Sequence, residues 1–181
     1  MSTEARPSHP FAMYDAIQAQ PGEFARLVRT LAVADCAARF RASKRTFLVG
    51  IGTSYHACQF GRHLLRAHAP AMQVFAAHSF DFVEFGPALG PDDCVVVLSH
   101  RGGKLYSARA LERARQAGSA TIAITGLNAK APAADIMLET VPQEASSAHT
   151  ISYIGAIAAL SAIARDLGAP DARFLEEEMP D

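Results

Sequence analysis

Apolar positions in this chain fall into short unbroken runs, separated by stretches where they recur every three or four residues. Residues 46–51 (Thr-Phe-Leu-Val-Gly-Ile) form a β-rich run closed by Gly52, and residues 72–76 form a weaker second. Residues 94–99 (Cys-Val-Val-Val-Leu-Ser) make the strongest run, followed by 120–125 and 135–139. Contiguous apolar runs of this length, without polar alternation, predict strands covered on both faces. Between them the pattern is helical. Ala57, Phe60, Gly61, Leu64 and Leu65 line one face and leave Arg62, His63 and Arg66 on the outer one. Leu105, Ala108, Leu111 and Ala114 form a second stripe, with Gly118 as its C-terminal cap. The stretch 151–167 is apolar on most faces, so that helix belongs in the core or an interface. Upstream, 21–41 reads as one helix opening at Pro21, with Phe24, Leu27, Val28 and Leu31 on one side.

Alternating strands and helices with apolar strands predict a parallel sheet with helices on both faces. The expected fold is α/β: a doubly wound, five-stranded parallel sheet of flavodoxin-like type in a three-layer sandwich. Such sheets bind ligands beyond the carboxyl ends of the strands, at the topological switch point. The expected organisation is a helical lead-in over 1–42 packed on the domain, the domain over 43–168, and an acidic tail or linker over 169–181. From Asp166 onward the last 16 residues carry six acids and one arginine, Arg173.

Composition narrows the function classes. Half the residues are apolar and 19% are charged, as in a globular protein. The formal net charge of -1 creates no global field favouring nucleic acid or anionic lipid. No helix-turn-helix segment or basic arm precedes the domain, so nucleic acid is not an expected partner. Cys36, Cys58 and Cys94 are odd in number and widely spaced, with no CxxC, which argues against a disulfide framework or a zinc site. The N-terminal MSTEARPSHP lacks an apolar core, and no apolar run reaches the roughly 18–20 residues of a membrane span. The expected compartment is the cytoplasm, with no membrane association.

Three loops carry the candidate chemistry. Gly50-Ile51-Gly52-Thr53-Ser54-Tyr55-His56 follows the first strand. Its glycines permit a tight turn, and Thr53 and Ser54 offer hydroxyls and backbone N–H groups at a helix N-terminus, where the helix dipole favours anions. The alternative reading makes Thr53 or Ser54 only an N-cap. GxGxxG and GxxxxGK[ST] are both absent, so neither a dinucleotide site nor a P-loop is expected. Ser99-His100-Arg101-Gly102-Gly103-Lys104 follows the third strand. It reads as a phosphate cradle, with Arg101 as a bidentate grip and Lys104 as a point charge, or as a solvated basic turn. Glu144 and His149 lie just before the last helix. They read as a base and an acid for sugar chemistry, or Glu144 with Ser146 or Ser147 as helix-capping groups. His56 is a further candidate contact or acid, whereas His63 and His68 fall on a solvated helix face.

Taken together, these loops resemble the sugar isomerase (SIS) domain family, in particular the first SIS half of the isomerase part of glucosamine-6-phosphate synthase and related phosphosugar isomerases. Gly52-Thr53-Ser54-Tyr55-His56-Ala57 reproduces that family's GTSYHA loop. His9-Pro10-Phe11 through Gln20-Pro21 is similar to its helical lead-in. Glu144, followed by Thr150 and an alanine-rich helix, is similar to its E-x-x-V-A-S-T-K segment. The family's phosphate loop S-Q-S-G-E-T is matched only at Ser99 and Gly102; Arg101 and Lys104 replace the second serine and the threonine. Either phosphate is held by charge rather than by hydroxyls, or the ligand carries another anion, or Arg101 fills the pocket. His149 stands where the family has serine, and Ile151 where it has lysine.

The resemblance implies a small-molecule sugar phosphate as partner, held by Gly52, Thr53, Ser54, Ser99, His100, Arg101, Gly102, Lys104 and Thr150. It implies an isomerase or aminosugar-phosphate deaminase that opens the ring and moves a proton between C1 and C2, with Glu144 and His149 as the catalytic pair. That chemistry requires no metal and no organic cofactor. The alternative is a non-catalytic sugar-phosphate-binding or sensing module that dimerises. A homodimer is expected in both cases, and the resemblance places the acidic tail before a second SIS half.

Overall fold

The computed structural model describes residues 8–146 and 148–168. The expected acidic tail over 169–181, the alternative cap Ser147 and the His68 side chain lie outside the described set. Five strands, β1 (Arg45–Gly50), β2 (Gln73–His78), β3 (Asp93–Leu98), β4 (Ala120–Thr125) and β5 (Ile136–Glu139), pair in parallel in the order β2-β1-β3-β4-β5. This is the predicted doubly wound order, and the chain reverses direction across the sheet between β1 and β3. Each predicted strand lies within two residues of its observed bounds.

Strand alternation sorts the core into two layers. Leu48, Cys94, Val96, Leu98, Ile122 and Ile124 face α2 (Ala34–Ala42), α3 (Thr53–His68) and α6 (Ile151–Asp166). Phe47, Val49, Val95, Val97 and Ala123 face α4 (Ser79–Phe85) and α5 (Leu105–Gln116). Both faces are covered, which is why β3 reads as an unbroken apolar run. The three cysteines are free and buried, and desolvation pushes the Cys36 thiol up to about 11 and that of Cys94 to about 12, so neither is a thiolate near neutrality.

The lead-in differs from the single helix expected over 21–41. Helix α1 (Ala12–Thr30) starts upstream and carries Pro21 in its interior, and a break at Leu31 separates it from α2. Good helix formers before Pro21 carry α1 through it despite the missing N–H. The break follows from packing. Phe24, Leu27 and Val28 bury against α6 with Val141 and Ala158, whereas Val33, Cys36 and Phe40 enter the main core. The apolar stripe slips phase by two residues between Leu31 and Val33, and a straight helix cannot present both faces.

Two further differences lie beside the site. Helix α4, only seven residues long, was not predicted, since two turns are too short to show a helical period. In α5 the buried face is Ser107, Ala110, Leu111 and Ala114, while Leu105 is 59% exposed. Two residues rotate a helix by about 200°, so Leu105 stands off the face that Ser107 begins. Gly118 does end α5 as expected. At φ 72° it lets the Gly118 N–H reach Arg115 O and the Ser119 N–H reach Ala114 O, which is a Schellman cap.

Candidate active site

The β1–α3 turn is as tight as its glycines allow. A side chain at Gly50 would place Cβ 2.7 Å from the Ser54 carbonyl carbon and oxygen, so α3 starts directly over the end of β1. Gly52, the N-cap of α3, has φ 60° and ψ -130°, a conformation that only glycine adopts easily. Neither α3 nor α5 has a side-chain cap, so their first-turn N–H groups have no side chain drawn across them. Gly50→Ala is expected to destabilise the protein by about 1–3 kcal/mol, because backbone must move to admit the methyl group. Chemical denaturation measures this, and an unchanged midpoint would mean that the turn is looser than described.

The β3–α5 turn is held by backbone. The Ser99 N–H donates to Ile124 O at 3.0 Å and the Gly102 N–H to Ser99 O at 2.9 Å. Gly102 is buried at φ 72°, and a Cβ there would lie 2.5 Å from the Ala131 nitrogen. Its role is therefore to let the loop close onto the β4–β5 connection. Arg101 and Lys104, the latter the N-cap of α5, are exposed and form no ion pair among the described residues. His100 Nε2 accepts the Glu144 N–H at 3.1 Å, which fixes the neutral ring with its proton on Nδ1. Burial, reinforced by His149 and Arg101 and opposed by Glu144, lowers the His100 pKa below the usual 6.5.

Glu144 is the best-anchored carboxylate at this end of the sheet. Oε1 accepts the N–H and the hydroxyl of Thr150, both at 2.8 Å. Oε2 accepts the Ser152 N–H at 3.1 Å and its hydroxyl at 2.6 Å. Burial raises its pKa, but the hydrogen bonds from Ser152 and Thr150 outweigh burial and hold the carboxyl below its usual value. The carboxylate thus caps α6, whose N-cap Thr150 makes no cap of its own. Ser146 instead accepts the Ala148 N–H in a local turn. His149 Nδ1 lies 3.9 Å from Glu144 Oε2 and 3.4 Å from Ser152 Oγ, and its ring centroid is 6.3 Å from that of His100.

These loops enclose a cleft of about 360 Å³ at the carboxyl ends of β1, β3 and β4. Gly52, Thr53 and Ser54 line one wall; Ser99, His100, Arg101 and Lys104 line the facing wall, and His149 stands at the α6 side. Arg101 does not fill the cleft, since its side chain is exposed at the edge. Gly102, Glu144 and Thr150 lie behind the lining, Thr150 with its hydroxyl turned onto Glu144. His56 is exposed on α3, outside the lining. Thr125, Thr140, Ser152 and Tyr153 also line the cleft. Sequence reasoning passed over them because it weighed the turns after the first and third strands; the readable signal was that Thr125 closes a strand at its carboxyl end. Among the described residues, no group of three His, Cys, Asp or Glu is placed to hold a metal, and no helix is long and apolar enough to cross a membrane.

Comparison with known proteins gives consistent likenesses. A family model described as SIS domain matches residues 39–165. No curated protein sequence matches the chain. Among solved structures, the C-terminal domain of glucosamine-fructose-6-phosphate aminotransferase from Francisella tularensis is similar with a TM-score of 0.75 at 16% identity, covering 98% of this chain and 55% of the other. The sugar isomerase domain of the RpiR transcription factor from Sphaerobacter thermophilus gives 0.69 at 19% identity, covering 92% of this chain and 96% of the other. The NanR protein of Vibrio vulnificus complexed with ManNAc-6P gives 0.73 at 12% identity, covering 94% of this chain and 67% of that one. At these identities the structural likeness is one of fold.

Proposed function

Since the chain belongs to the SIS domain family, we propose that its cleft binds a sugar phosphate, with the phosphate between Arg101 and Lys104 at the start of α5. The observation that carries this reading is the convergence on one cleft of two cations without an ion pair among the described residues, two uncapped helix N-termini and the hydroxyls of Thr53, Ser54 and Ser99. Helix N-termini supply N–H donors and a favourable dipole for an anion, and a guanidinium matches phosphate geometry in two parallel hydrogen bonds. A domain of the same fold, NanR, has been captured with a sugar phosphate, ManNAc-6P.

Calorimetric titration with fructose 6-phosphate, glucosamine 6-phosphate and N-acetylmannosamine 6-phosphate, against the same sugars without phosphate, tests this. At least one phosphorylated sugar is expected to bind and the unphosphorylated ones are not. Absence of heat for all of them at millimolar concentration overturns the reading.

The isomerase reading rests on one observation, the approach of the His149 imidazole to the Glu144 carboxylate beside the cleft. In it, ring opening needs a proton delivered to the ring oxygen, and conversion of ketose to aldose takes a proton from C1 and returns one to C2 through an enediol. His149 reaches the cleft and handles the proton, while Glu144 orients it. Conversion of ketose to aldose phosphate by the purified chain, abolished by His149→Ala, supports this reading; binding without turnover leaves the domain a sensor or binding module.

A further inference from the structure

Three buried side-chain polar atoms among the described residues have no hydrogen-bond partner: His100 Nδ1, Thr125 Oγ1 and Ser161 Oγ. Folded proteins rarely leave such atoms unpaired, because each carries the full cost of its lost hydration. Two of the three belong to residues that line the cleft. Thr125 is 2% exposed, at the last position of β4. Its carbonyl is fully engaged, accepting both the Thr140 N–H at 2.9 Å and the Thr140 hydroxyl at 2.7 Å. The Thr125 hydroxyl has no such partner. The His100 ring lies against Gly126, the next residue, so closely that a Cβ there would fall 2.6 Å from Nδ1. With Nε2 occupied by the Glu144 N–H, Nδ1 is a proton donor without an acceptor. One end of β4 thus holds an unpaired hydroxyl and an unpaired N–H.

We propose that the Thr125 hydroxyl, beside His100, forms a polar floor to the cleft that takes a hydroxyl or carbonyl oxygen of the ligand's carbon chain, separate from the cationic edge that takes its phosphate. This deepens the sugar-phosphate reading and rests on it. It assigns the two ends of the ligand to different structural devices. Arg101 and Lys104 recognise charge and do not distinguish one phosphate ester from another. The Thr125 hydroxyl recognises the carbon chain, because a buried hydroxyl left unpaired discriminates against a ligand that offers it nothing.

The substitution Thr125→Val replaces the hydroxyl by a methyl group of nearly the same shape and separates this proposal from a structural role. Because the hydroxyl has no protein partner, the unliganded variant is expected to unfold about 2–4 °C higher than the parent. Its affinity for fructose 6-phosphate or glucosamine 6-phosphate is expected to fall about 3- to 10-fold, with inorganic phosphate binding unchanged. A melting temperature lowered by several degrees would overturn the proposal, by showing that the hydroxyl serves the fold. An unchanged ratio of sugar-phosphate to phosphate affinity would overturn it too, leaving a buried water as the partner of Thr125 and the sugar-phosphate reading intact. Failure of the parent protein to bind any sugar phosphate would overturn both together.

Discussion

Arg101→Ala is expected to weaken sugar-phosphate binding about 10- to 100-fold, the range of one charge-assisted hydrogen-bonded contact. The Arg101 side chain is exposed, lines the cleft and has no ion-pair partner among the described residues, so its removal costs the fold nothing that the structure records. The melting temperature of the unliganded variant should therefore stay within a degree or two of the parent. Arg101→Lys should recover only part of the affinity, since an ammonium cannot reproduce the two-pronged grip. Binding should also weaken with added salt, more in the parent than in Arg101→Ala, because the contact is solvent-exposed and screened. Equal affinities for parent and Arg101→Ala across a salt series would return this residue to a solvated turn and shift the phosphate to Lys104 and the helix N-termini.

Glu144→Ala is expected to do the opposite: a large loss of stability, with any effect on binding following from it. The substitution leaves the Thr150 and Ser152 N–H groups and both hydroxyls without their acceptor and uncaps α6, the helix that spans the main core. A loss of about 3 kcal/mol follows, or about 6–12 °C in melting temperature. Glu144→Gln, which keeps one acceptor oxygen, should fall between. The pH dependence carries a signature. The folded-state pKa of Glu144 is depressed, so the unfolded chain binds more protons in the acid range. The stabilisation is complete above the ordinary carboxyl value of 4.5 and is lost as pH falls below it through the folded value. His100 has the same sign, being held below 6.5, so its contribution begins to fade at milder acidity. Melting temperature against pH should be flat above about pH 7 and then decline in two stages. In Glu144→Ala the more acidic stage should shrink to what Asp93, held low by the Arg45 side chain, contributes. A variant that melts like the parent would show that α6 does not depend on this cap.

Much of the fold was legible because burial on both faces of a parallel sheet writes itself into the chain as unbroken apolar runs. The run 94–99 could hardly be anything but a central strand, and the turns after it and after β1 fall at the carboxyl ends where a doubly wound sheet opens. Gly50, Gly52 and Gly102 were also interpretable, since backbone that must turn or approach closely leaves few alternatives to glycine. What misled was local resemblance. Pro21 looked like a helix start and proved internal, because good helix formers precede it.

The chain by itself therefore determined the sheet, its order, the position of the cleft and the two cations at its edge, because each follows from periodicity or from a residue's own chemistry. Only the tertiary structure decided how those groups are used. It joined Glu144 to Thr150 and Ser152, so that a carboxylate legible equally as base or cap is engaged by four donors. It brought the Glu144 N–H to His100 across 44 positions and left Thr125 buried without a partner. Hydrogen bonds between residues far apart leave no periodic trace, and whether a hydroxyl is satisfied depends on every neighbour that packing brings to it.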